Sequence, residues 1–101
     1  MITKRELDDA TTCVTFAVTD DRPVSVVGDF NGWEPFAHPL VEGSDGLRSA
    51  DVVVLSGTVL RFRYLADGGE YYDDPDADEI EPNGLGGTDG VVHTLAKPTD
   101  G

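Results

Sequence analysis

Val59-Leu60-Arg61-Phe62-Arg63-Tyr64-Leu65-Ala66, followed at once by Asp67-Gly68, is the stretch that decides the fold class. Leu60, Phe62, Tyr64 and Ala66 fall on one face of an extended chain; Arg61, Arg63 and Leu65 fall on the other. A period of two is the mark of a strand with one face in a core. Asp-Gly between two strand-like runs is a strong hairpin signal, because its residues tolerate the positive φ of the tight turn. Glu70-Tyr71-Tyr72 is then the return strand. Tyr71 and Tyr72 point to opposite faces, one inward and one outward.

The same period recurs outward from this hairpin. Residues 13–18 alternate, with Val14, Phe16 and Val18 on one face. Residues 24–27 form a short strand after an Asp-Asp-Arg-Pro turn, residues 40–41 another, and residues 47–55 a longer one rich in valine. Residues 73–90 read as a long acidic loop with Pro and Gly, and residues 91–95 as the last strand. No window has helical periodicity. The chain therefore reads as all-β, a β-sandwich of about seven to eight strands. Residues 12–95 form the domain, 1–11 an N-terminal extension and 96–101 a flexible tail.

Composition narrows the function. The chain has 101 residues, enough for one core but not for a core plus a large catalytic cavity. Twenty acidic against seven basic residues give a net charge of -13. That excludes nucleic acid and an anionic membrane as partners, since both need a cationic face. The sole cysteine, Cys13, sits in a strand-like run and reads as a small packed residue. No apolar signal segment or membrane span is visible, and a soluble, cytoplasmic protein is expected.

Three segments carry a resemblance. Gly28-Asp29-Phe30-Asn31-Gly32-Trp33 follows a strand, the stretch 60–68 precedes Tyr71-Tyr72-Asp73-Asp74-Pro75, and Asn83-Gly84-Leu85-Gly86-Gly87-Thr88-Asp89-Gly90 precedes the last strand. Together they resemble carbohydrate-binding module family 48, the early-set immunoglobulin-like domain of isoamylases and glycogen branching enzymes. They are also similar to the glycogen-binding domain of the AMP-activated kinase β subunit. The resemblance implies an immunoglobulin-like β-sandwich and an α-1,4-glucan ligand such as glycogen, starch or a maltooligosaccharide. It implies contacts at Trp33 and Tyr71 (a Trp in the glycogen-binding members) and at Arg63, Leu85 and Asp89. The loop Thr of those members is Gly87 here, so that contact is lost. It implies no cofactor and no metal, and admits a glycan-processing enzyme as a partner. The same fold also serves as a protein-interaction or spacer domain, and a fragment of a glycogen-debranching or branching enzyme would read the same way.

The chemistry of the residues agrees with a sugar ligand. An aromatic plane covers the apolar C–H face of a pyranose, and Arg, Asp or Asn serve its hydroxyl rim. Each residue also has a plainer role: Trp33 as a cap on the sandwich, Arg63 as the counter-ion of Asp73 or Asp74, Asp89 as a turn cap. Phe30 reads as core, and Asn31 as a residue bonding local backbone. Asp74, Asp76 and Asp78 imitate the start of a calcium loop, but its sixth position is Glu79 and its twelfth Leu85, which rules out an EF-hand. No nucleophile–base pattern is present, and the barrel of the isoamylase family needs several hundred more residues. Catalysis is not expected.

Overall fold

The structure, a computed structural model, describes residues 1–35, 37–84 and 86–94. Among these residues nine strands are seen: β1 Ile2–Glu6, β2 Thr11–Val18, β3 Val24–Gly28, β4 Val41–Glu42, β5 Arg48–Leu55, β6 Val59–Ala66, β7 Glu70–Tyr72, β8 Glu79–Pro82 and β9 Thr88–His93. They form two antiparallel sheets packed as a β-sandwich. One has the order β1-β2-β5-β4; the other has β3-β6-β9-β8, with β7 also on β6. The all-β reading holds.

Two segments differ from the expectation. The first eleven residues contain β1, paired with β2 from Ile2 opposite Phe16 to Glu6 opposite Thr12. The stretch expected as one long loop contains β8, paired with β9, and β9 itself starts at Thr88, three residues before the expected strand. Asp89 thus lies in a strand rather than a loop. The expected tail, 96–101, lies outside the described residues, as does Leu85.

The core lies between the sheets, where the inward residues of alternating strands meet. Val14 and Phe16 of β2, Val26 of β3, Leu60, Phe62 and Tyr64 of β6 and Val92 of β9 are at most 1% exposed. Phe16 packs on Phe62 with ring centres 4.7 Å apart, and Tyr64 joins edge-on. Full burial of side chains this size stabilises by about 1.5–3 kcal/mol each. Phe30 also joins this cluster, stacked on Phe16, as its sequence position predicts. Gly28 makes that possible: a Cβ there would run into the Arg61 carbonyl oxygen and the Phe30 ring.

Pairing fixes what surrounds β6. Phe62 is level with Gly28 of β3 and with Gly90 of β9; Tyr64 is level with Val26 of β3 and with Tyr72 of β7. So β3 runs along one edge of β6, while β9 and β7 share the other edge, end to end. The gap between them falls at Arg63.

Candidate functional site

The outward face of β6 follows from its alternation. Leu60, Phe62, Tyr64 and Ala66 are buried, so Arg61, Arg63 and Leu65 point away from the core. Tyr71 is level with Leu65 and therefore shares this face. Tyr71 is 46% exposed, whereas Tyr72 faces inward, 5.4 Å from the Tyr64 ring. The inward–outward split read from the tyrosine pair is present.

Arg63 stands where β7 has ended and β9 begins. Its guanidinium carbon is 5.2 Å from the centre of the Tyr71 ring, within cation–π range. Its Nε is 3.8 Å from Asp73 Oδ1, too far for a hydrogen bond. Among the described residues, neither of these two buried atoms has a hydrogen-bond partner. The other Asp73 oxygen accepts the Thr88 hydroxyl, which ties the end of β7 to the start of β9. Gly87 leaves room here: a Cβ on it would lie 3.7 Å from Arg63 Nη1 and 3.2 Å from Asn83 Nδ2. Asp89 is 8% exposed, and carrying the β6–β9 register one step past Phe62 brings it level with Arg63. Arg61, two residues back, is held by Glu81 of β8.

Trp33 is built differently. The N–H groups of Asn31 and Trp33 both donate to the Gly28 carbonyl, at 3.2 and 2.8 Å. Asp29 N–H donates to the Arg61 carbonyl, which pins the turn to β6. Trp33 has φ 61°, the left-handed region that a bulky residue rarely adopts. Such strain persists only where the surroundings hold it. Its side chain is partly exposed, at 39%, and among the described residues it stacks on no other aromatic ring. The turn leaves β3 level with Phe62, and Tyr71 of β7 is level with Leu65, so the two lie on opposite edges of β6 and roughly 10 Å apart in the strand direction.

The structure thus joins Arg63 to Tyr71, places Asp89 on their face, and holds Trp33, partly exposed, on the turn that follows β3. Asp73 and Thr88 belong to the same arrangement, and only Asp73 had been signalled in sequence, as a counter-ion. The link between Asn31 and His38 is invisible at a spacing of seven. It needs the return of residues 38–40 alongside β3, where Val26 N–H donates to the His38 carbonyl and Leu40 N–H to the Val24 carbonyl.

A second candidate is a cleft of about 510 Å³ whose lining includes Tyr64, Tyr72, Asp20, Arg22, Asp74 and Met1. Its polar groups largely bond one another. The Tyr64 hydroxyl donates to the buried Asp74 at 2.7 Å, and the N-terminal ammonium donates to the same carboxylate. Burial pushes the Asp74 carboxyl up, but the ammonium, the Asp76 N–H and the Tyr64 hydroxyl outweigh it and hold the group below the usual carboxylate range. The Arg22 side chain, with its backbone N–H, holds the Asp20 carboxyl well below the usual carboxylate range. Burial, then the bond to Asp20, pushes the Tyr72 hydroxyl up to about 12. These pairs close one end of the sandwich and leave few polar atoms for a ligand. Among the described residues no group of three or more His, Cys, Asp or Glu is placed to hold a metal, and no helix is long and apolar enough to cross a membrane.

No protein-family model matches this chain, and no curated protein matches its sequence.

Proposed function

We propose that this chain is a non-catalytic α-glucan-binding module of the family 48, early-set immunoglobulin-like type, acting in the cytoplasm. The observation that carries the reading is the exposed Tyr71 ring with the Arg63 guanidinium beside it on one outward sheet face. In this reading Tyr71 and Trp33 stack on glucose units, Arg63 and Asp89 bond hydroxyls, and Leu85, outside the described residues, adds the apolar contact that the resemblance implies. A neutral glucan is indifferent to the charge of -13. The test is affinity electrophoresis through glycogen-containing gels. Retardation that maltoheptaose relieves supports the reading. Unchanged mobility of folded protein at millimolar glucan refutes it.

A specific observation also favours a second reading, a protein-interaction or spacer domain whose sugar site has decayed. Val53 and Leu55 of β5, 57% and 67% exposed, and Val41 of β4, 70% exposed, share the outward face of the other sheet. Gly87 and Tyr71, in place of the Thr and Trp of the glycogen-binding members, fit the same reading. A debranching or branching enzyme is the natural partner class in either case.

A further inference from the structure

The turn that carries Trp33 is locked by one amide. Asn31 Oδ1 accepts the Gly28 N–H at 3.0 Å, and Asn31 Nδ2 donates to the Val26 carbonyl at 3.1 Å. The Gly28 N–H can only donate and the Val26 carbonyl can only accept, so the orientation of the amide is fixed. Its Nδ2 is also 2.9 Å from His38 Nδ1. A second N–H of an amide whose orientation is fixed can only donate, so His38 Nδ1 must carry a lone pair. The imidazole is therefore neutral and protonated at Nε2.

We propose that neutral His38 is the positioning residue of Trp33, and that protonating it releases the turn. A proton on Nδ1 sets two donors against each other and removes one of the three bonds of Asn31. The same turn holds Trp33 at φ 61°, a conformation that needs such support. Among the described residues, no carboxylate is bonded to the imidazole. Its ring neighbours are Asn31 and Phe30, and β3 beside it has no charged residue. The carboxylates of its own loop are Asp29, bonded to the Arg61 N–H, and Glu34, which is exposed. Of the cations on the adjoining strand β6, Arg61 is taken by Glu81, and Arg63 lies over the Tyr71 ring beside Asp73. For the glucan the consequence rests on the reading above: ligand affinity through Trp33 falls when His38 is protonated. The loss of one net hydrogen bond corresponds to about fivefold.

Trp33 is the only tryptophan, so its fluorescence reports the turn without any sugar. The experiment follows emission and acrylamide quenching from pH 8 to 5 in the wild type, His38→Gln and His93→Gln. The expected result is a single-proton step in the wild type and in His93→Gln, and none in His38→Gln. The absence of a step in the wild type, or its survival in His38→Gln, overturns the proposal. Should His38→Gln not fold, NMR on the wild type decides: the Asn31 side-chain amide must shift with the His38 titration, and independence of the two overturns the proposal. Maltoheptaose affinity measured alongside separates the two readings. A fluorescence step with no glucan binding at either pH supports the His38 switch and refutes the glucan ligand.

Discussion

At Arg63 the alternation of β6 and the end of β7 act on a single side chain. The strand turns it outward, and the missing neighbour lets it reach across to Tyr71 and toward Asp73. Lysine would keep the charge but lose the planar face that lies over the tyrosine ring. Calorimetry with maltoheptaose should show Arg63→Lys weaker by several-fold and Arg63→Ala by about tenfold, the range of a charge-assisted hydrogen bond. Trp33→Ala should cost about as much, with denaturation midpoints little changed, since the indole has no aromatic partner among the described residues. Gly87→Thr should act in the opposite direction. Gly87 is not among the glycines of positive φ, and a new Cβ presses on the Asn83 amide at 3.2 Å and comes into ordinary contact with Arg63 Nη1 at 3.7 Å. An added hydroxyl beside Arg63 should tighten glucan binding, measured by the same calorimetry; a weaker complex would place the ligand elsewhere.

Among the elements, legibility in the sequence followed burial. β6, β2 and β5 could be read because one face of each sits in the core and writes a period of two into the chain. β1 and β8 could not. Four of the five residues of Ile2–Glu6 and three of the four of Glu79–Pro82 are exposed, so neither strand carries alternation. What makes them strands is pairing with β2 and β9, a non-local fact. Their charges and Pro82 are also what an edge strand uses to discourage further pairing. The site divided in the same way. Arg63 and Tyr71 were fixed by strand parity, whereas Asn31–His38 and Asp73–Thr88 depend on chain returns that no local spacing encodes. At this scale Gly28 is the tightest point, because the Phe30 ring crosses where its Cβ would stand. Gly28→Ala should destabilise by about 1–3 kcal/mol, the usual range for overpacking, read as a lower urea midpoint at unchanged slope.

For the whole molecule, acidic charge is concentrated rather than uniform: eight carboxylates fall between Asp67 and Glu81. Several have structural partners. The carboxyls of Asp8, Asp20, Asp74 and Asp78 are all held below the ordinary range. Their folded pKa values lie below the unfolded ones, so the stability they confer is complete above about pH 4 and disappears as pH falls through the folded values. Urea midpoints of His38→Gln, which lacks the imidazole, should therefore be level between pH 7 and 5 and fall below pH 4. Asp74→Asn should be less stable at pH 7 by about 1.5–3 kcal/mol, the worth of hydrogen bonds to a charged group, and should show a shallower fall in acid. An equally steep fall in that variant would assign the acid sensitivity to other carboxylates.

The outward face of β6 as a glucan platform is the claim on which the rest depends, and an NMR titration of the folded protein with maltoheptaose addresses it residue by residue. The account predicts saturable shifts at the Trp33 indole, the Arg63 side chain and the backbone of Tyr71 and Asp89, with the Tyr64–Asp74 cleft undisturbed. Shifts confined to that cleft or to the Val53–Leu55 face, or none at millimolar sugar, would contradict it.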